Sequence, residues 1–265
     1  MSISIHPSAI VSPEARIGEN VEVGPFTFVG PHVVLGDNCK IHSHVVLEGH
    51  LTCGKNNEFF QFSSIGAAPQ DKTYKNEPTR VEIGDNNIFR EYVSIHRGTL
   101  KENHVTRIGS NNFLMAHVHL GHDVVIGSDC VFANSVNLAG HVRIGDKVII
   151  GGGTNISQFV ALGRGAYIGG ASAIDRDIPS FCTAYGNRVR LKGINIIGLR
   201  RAGFSKQEVS EVVDFFRTME ASVLSPRAFV DHEELMVDFS QNSLVQEIKT
   251  QIEKSEVGVA PFVMS

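Results

Sequence analysis

From Ile5 the chain reads in sixes: IHPSAI, VSPEAR, IGENVE, VGPFTF, VGPHVV, LGDNCK, IHSHVV, LEGHLT, CGKNNE, FFQFSS, with Ile65 opening the next. The frame resumes at IGDNNI (Ile83), restarts at IGSNNF (Ile108) and runs to IDRDIP (Ile174). Every leading residue is Ile, Val, Leu or Phe except Cys53, and the second is very often Gly. The fifth is mostly small or β-branched, as at Ala9, Thr27, Val45, Val118, Val142 and Ser172. In a chain that is 42% hydrophobic, an apolar column this long is not chance. A six-residue unit is one short strand plus a tight corner. Its first and fifth residues point inward, and glycine serves a corner where a side chain would be costly. One such unit cannot bury its own apolar residue, so the pattern predicts a mainly β solenoid of stacked coils.

Two insertions interrupt the column, AAPQDKTYKNEPTRVE before Ile83 and KENHVTR before Ile108, at about 66–82 and 100–107. Loops ejected from a solenoid have no packing reason to exist and are candidate binding elements. After residue 185 the period ends. FSKQEVSEVVDFFRTME reads as an amphipathic helix with Ser205 and Glu208 as a capping box. SPRAFVDHEELMVDF begins a second helix with Pro226 in its first turn, and NSLVQEIKTQIEKS a third, with Ser243 and Gln246 as a weaker box. The expected division is a β-solenoid over 1–185 and a helical domain over 186–265.

The repeat resembles the hexapeptide-repeat family, whose fold is a left-handed parallel β-helix with three strands, or 18 residues, per coil. The left hand is implied by that resemblance, since the general rule for parallel crossovers favours the right. Cys39, Cys53 and Cys130 fall on inward positions, and no CxxC pair occurs among the four cysteines, which suits free thiols in a reducing cytoplasm. A net charge of −4 gives no reason to expect nucleic acid as a partner. No apolar run reaches bilayer length, so no membrane insertion is expected, and MSISIHPSAIV lacks the layout of a secretory signal.

The stretch LMAHVHLGHDVVIG carries His117, His119, His122 and Asp123 within seven positions. With 18 residues per coil, Asp123 stacks with His141, and His122 with Gly140 and then Gln158, about 4.8 Å apart per coil. These residues converge on one external patch. Asp beside His suits a general base, because the carboxylate fixes the imidazole tautomer. A glycine facing that ring leaves room for a reacting carbonyl and offers a backbone N–H to an oxyanion. A competing reading takes His117 and His122 as zinc ligands with a third histidine from a neighbouring subunit, as in trimeric β-helical carbonic anhydrases. A non-enzymatic scaffold predicts flat rows of one outward residue, typically Thr, and unbroken columns, which this chain lacks.

Nearly the whole chain resembles the UDP-N-acetylglucosamine acyltransferase family, through VGPF, QFSSIG, PQD, EPTRVEIGD, SIHRGT, HLGHD, LAGH, SQF and GINIIGL-RR-GF. The resemblance implies transfer of an (R)-3-hydroxyacyl chain from acyl carrier protein to the 3-hydroxyl of UDP-N-acetylglucosamine, the first step of lipid A synthesis. It implies a homotrimer with sites between subunits. It requires no cofactor or metal beyond the carrier's phosphopantetheine thioester, which is already activated. It assigns His122 as base, Asp123 as its orienting partner and the Gly140 N–H as oxyanion donor. His119, His141 and Gln158 would hold the sugar and diphosphate, Asp71 the sugar across the subunit boundary, and Asn195 and Arg201 the nucleotide and the phosphopantetheine. Gly170 matches the family's acyl-length ruler, where a glycine leaves the groove open for a fourteen-carbon rather than a ten-carbon chain. From Gly186 to Lys206 lie six basic residues and no acidic one, which suits an acidic carrier and a diphosphate. The chain departs from the family at Thr73, Ser157 and Ala202, and the first two leave the acceptor open between the sugar and its 3-amino analogue.

Overall fold

The computed structural model describes residues 3–263. The hexads wind into the expected left-handed parallel β-helix, a prism whose three sheets contain eleven, nine and eight strands. Strands mostly pair in parallel with the strand 18 residues on, as in Glu22↔Lys40 and Val125↔Arg143. The spacing lengthens to 30 residues across the first insertion (Glu58↔Ile88) and 25 across the second (Ile88↔Phe113). The first sheet ends in an antiparallel pair, Cys182–Tyr185 with Arg190–Ile194, so it continues beyond the six-residue period.

Leading residues such as Val29, Leu47, Phe59, Leu120 and Leu138 are fully buried along the axis, and all four cysteines join them. Burial pushes the Cys130 and Cys182 thiols up to about 12, which leaves both protonated and unreactive. Ile5 stays 44% exposed, with no coil beneath it among the described residues to complete its packing. The corners divide labour differently from the simplest sequence reading. Left-handed φ falls on the fourth residue of the hexad, and along one corner this is Asn20, Asn38, Asn56, Asn86 and Asn111, followed by Asp129. Their side chains bond upward in a ladder, for example Asn56 to Asn86 at 3.0 Å and Asn86 to Asn111 at 3.2 Å. The second-position glycine is there for close approach: a Cβ on Gly18 would lie 2.7 Å from the Asp37 nitrogen.

Within the hexad repeat, residues 68–79 and 97–104 leave the strand ladder as loops. Lys101 joins the two through a 2.5 Å ion pair with Asp71, and Arg97 donates to the Gly66 carbonyl and the Tyr74 hydroxyl. Past the sheet come α1 (Ile196–Arg201), α2 (Lys206–Ala221), α3 (Pro226–Val230), α4 (Glu233–Met236) and α5 (Ser243–Lys254). The Ser205–Glu208 capping box forms in full. The second expected helix is split at Asp231–His232, both poor residues for a helix interior. Asn242, not Ser243, caps α5, accepting from the Leu244 and Val245 nitrogens. Glu247 of α5 bonds Arg164 at 2.6 Å and Ser180 at 2.7 Å, fastening the helices to the solenoid. Among the described residues no helix is long and apolar enough to cross a membrane.

Candidate active site

The corner between strands His119–Leu120 and Val125–Ile126 carries His122 and Asp123. One coil on, the same corner carries Gly140 and His141, and the His141 nitrogen donates to the His122 carbonyl at 3.0 Å. His122 Nδ1 lies 2.9 Å from Asp123 Oδ2. A carboxylate only accepts, so Nδ1 carries a hydrogen, and in the neutral ring the lone pair is then on Nε2. The ring packs against Gly140, where a Cβ would come within 2.6 Å of Cε1 and 2.8 Å of Nε2. Among the described residues no protein group accepts from the Gly140 N–H.

The cluster was expected on an external patch, but it is buried: His122, Asp123 and His141 are 6%, 1% and 4% exposed. The loop over residues 97–104 covers it. Thr99 donates its N–H to Asp123 Oδ1 at 2.9 Å and its hydroxyl to Oδ2 at 2.7 Å. Burial alone would raise the Asp123 carboxyl, but the bonds from His122 and Thr99 outweigh it and hold the group below its ordinary value. Asp123 is therefore ionised at neutral pH and able to orient His122.

A cleft of about 700 Å³ opens over this corner, lined there by Gln70, His96, His119, His122, Gly140 and Gln158. It continues along the second sheet past Asn137, Asn155 and Ala173 to Arg188. Three rungs separate His119 from Ala173, a groove of about 14 Å. His119 Nδ1 sits 2.8 Å from Ser94 Oγ and is edge-on to His96. Burial lowers His119, and burial followed by the neighbouring His119 and His122 charges brings His96 down to about 4. Both rings are neutral hydrogen-bonding groups at neutral pH.

The structure thus brings His119, His122, Gly140 and Gln158 into one cleft with Asp123 behind them, while His141 packs beneath His122 and on Phe159 without lining the cleft. Asp71 lies off it, next to Gln70, its carboxyl held well below the carboxylate range by Lys101 and then by the Thr73 N–H and hydroxyl. Asn195 and Arg201 line a separate, more apolar cleft of about 970 Å³ beside the first sheet. Both ends of the Asn195 amide are engaged, capping α1 at Gly198 and donating to the Gly165 carbonyl. Gly170 stands at the corner after strand Tyr167–Ile168 and is not a lining residue of the first cleft; a Cβ there would be 3.1 Å from the Gly152 carbonyl. Thr99, His96 and Gln70 were not singled out from sequence. Irregular spacing across the insertions hides them, although the His96–His119 pair has a trace in the SIHRGT segment.

The zinc reading does not survive. His117 sits at the corner before His119, in left-handed φ and stacked on Tyr92 at 4.7 Å, one corner away from His122. Donor atoms of His122, Asp123 and His141 do lie within 4.8 Å of one another, the one such group among the described residues. Both Asp123 oxygens, however, already accept from Thr99 or His122.

Known proteins resemble this chain over most of its length. Residues 177–260 match the family model "Udp N-acetylglucosamine O-acyltransferase; Domain 2", and residues 4–49 and 106–140 match the bacterial transferase hexapeptide repeat. The chain is 48% identical over 84% of its length to the acyl-[acyl-carrier-protein]–UDP-N-acetylglucosamine O-acyltransferase of Saccharophagus degradans, covering 90% of that protein. It is 44% identical to the Janthinobacterium enzyme of the same name, with 96% and 98% covered. LpxA from Acinetobacter baumannii superposes with a TM-score of 0.92 at 42% identity, covering 97% of this chain and 99% of that one. The UDP-N-acetylglucosamine acyltransferase from Campylobacter jejuni gives 0.91 at 33% identity, covering 98% and 100%. These relatives favour the acyltransferase reading over the zinc alternative, and the chain belongs to the acyl-[acyl-carrier-protein]–UDP-N-acetylglucosamine O-acyltransferase family.

Proposed function

We propose that the chain transfers an (R)-3-hydroxyacyl group from acyl carrier protein to the 3-hydroxyl of UDP-N-acetylglucosamine, opening lipid A synthesis, with His122 as general base. The observation that carries the mechanism is the His122 ring itself. It is buried, its Nδ1 is tethered to an ionised carboxylate, and its free Nε2 lies beside a glycine at the cleft. Nε2 takes the proton of the sugar hydroxyl as the oxygen attacks the thioester carbonyl. The Gly140 N–H receives the oxyanion that develops on that carbonyl. Collapse breaks the C–S bond, and the imidazolium returns its proton to the departing thiolate. Asp123 stabilises the positive ring in between. A thioester is activated already, so the reading requires no metal or other cofactor.

His119 and Gln158 are placed to hold the sugar and diphosphate, and the groove toward Ala173 to take the acyl chain. His141 supports His122 from beneath. Asp71, Asn195 and Arg201 lie off the cleft in a single chain, which favours a homotrimer that brings them to a neighbour's cleft. The exposed cations Arg188, Lys192, Arg200, Arg201 and Lys206 suit an acidic carrier. Gly170, also off the cleft in a single chain, is kept as the acyl-length ruler, where a glycine leaves room for long chains. We place the enzyme in the cytoplasm, where carrier and nucleotide sugar meet, and divide it into a β-helix over 1–185 and a helical domain over 186–265. The test is mass spectrometry of products from UDP-N-acetylglucosamine or its 3-amino analogue with 3-hydroxyacyl carrier proteins of graded length. An O-acylated UDP-N-acetylglucosamine supports the reading; no product from any donor, or product from the amino sugar alone, overturns it.

A further inference from the structure

One buried side chain beside the base takes no direct part in the proton transfer. His141 is 4% exposed, and its Nδ1 makes no hydrogen bond. Its ring lies edge-on to His122, centroids 5.0 Å apart, and flat against Phe159 at 4.6 Å. Each ring nitrogen faces a carboxylate. Nε2 is 3.8 Å from Asp123 Oδ2, and Nδ1 is 3.4 Å from Glu102 Oε1. Glu102 comes from the second insertion, and Arg143 Nη2 holds its two oxygens at 3.1 and 3.2 Å. A continuous polar line therefore runs from the surface to the base: Arg143, Glu102, His141, Asp123, His122.

We propose that Glu102 is a positioning residue for acyl transfer, acting through His141 and Asp123 on His122. The inference rests on His122 being the base. His141 approaches the same Asp123 oxygen that bonds His122 Nδ1, so its orientation helps to fix where that oxygen sits. A neutral imidazole carries one N–H, and a buried ring with no partner on one side turns to recover one. Glu102 supplies the only carboxylate facing Nδ1 among the described residues, so the ring's single N–H finds an acceptor on either side without the ring turning. Separations of 3.4 and 3.8 Å lie just outside hydrogen-bond range, as is common for catalytic contacts before substrate binds, and close when positive charge arrives on His122. Glu102 does not line the cleft of its own chain, so its effect is expected on kcat rather than on substrate affinity. The second insertion is on this view part of the proton-handling apparatus rather than a tolerated surface loop.

The experiment is a double-mutant cycle read as kcat and KM separately. Glu102→Gln preserves shape and removes charge, and Glu102 is partly exposed, so the fold tolerates the change. The expected result is a fall in kcat of about tenfold with KM for the sugar nucleotide within about twofold, partly restored by Glu102→Asp. In a His141→Gln background, adding Glu102→Gln has no further effect. Full kcat in Glu102→Gln, a loss confined to KM, or an equal loss in both backgrounds overturns the proposal. His122→Ala is assayed alongside. If it stays active, the base assignment falls; if it is inactive while Glu102→Gln matches the parent, only the Glu102 proposal falls.

Discussion

Gly140→Ala is the smallest change that separates the geometry of the base from its chemistry. The added methyl would stand 2.6 Å from His122 Cε1, 2.8 Å from Nε2 and 3.0 Å from Nδ1. Ordinary contact begins near 3.4 Å, so the ring must withdraw by roughly 0.8 Å. It has nowhere to go, with Nδ1 tied to Asp123 at 2.9 Å and His141 packed beneath at 5.0 Å. Gly140 does not have left-handed φ, so alanine brings no backbone strain, and the peptide N–H that serves the oxyanion is kept. A displacement approaching 1 Å in a reacting group costs about 100-fold in kcat. Overpacking costs about 1–3 kcal/mol of stability, a fall in Tm of roughly 2–4 °C for each kcal/mol in a chain of this size. The assay is steady-state product formation with a parallel thermal melt. Gly30→Ala serves as control, because its Cβ meets nothing nearer than 3.5 Å and it lies coils away. If Gly140→Ala keeps kcat within about threefold of the parent, the packing of His122 against residue 140 does not set the base, and the reasoning fails.

Stability should carry a histidine signature. His96 is lowered from 6.5 to about 4, so between those values the unfolded chain binds a proton that the folded chain refuses. Stability therefore falls as pH drops from 6.5 towards 4 and is level above that window, the full effect being about 3 kcal/mol. Thermal melts of His96→Gln should show a flatter slope across this range, and an unchanged slope would refute the assignment. Ser205→Ala removes one half of the α2 capping box and should cost about 1 kcal/mol in denaturant unfolding with activity intact; no measurable loss would show that packing alone holds the helix.

What the sequence discloses here follows the coil. A fixed 18-residue spacing lets Gly140 be set over His122 and His141 over Asp123 by counting, and Gln158 after them, as the structure finds. The counting stops at the insertions, where offsets of 25 and 30 depend on loop length and not on any period. That is why Thr99, which bonds both Asp123 oxygens, and Glu102, which faces His141, were invisible until the loop was seen folded over the corner. Burial of the cluster was missed for the same reason. Helix α1 was missed because six residues are too few to show a period, although Asn195 three residues before Gly198 is a readable N-cap. The role of glycine was legible only in part. The six-residue pattern marks where side chains cannot fit, but not that the strained φ belongs to the asparagine two residues later.

The central claim is that His122 moves the proton and Asp123 orients it. Its most direct test is single-turnover acyl transfer from a 3-hydroxyacyl carrier protein to UDP-N-acetylglucosamine by His122→Ala, with Asp123→Asn alongside and substrate binding measured separately. The account predicts a loss of roughly 1,000-fold or more in the chemical step for His122→Ala, a smaller loss for Asp123→Asn, and little change in sugar-nucleotide affinity. Turnover by His122→Ala within about tenfold of the parent would contradict it.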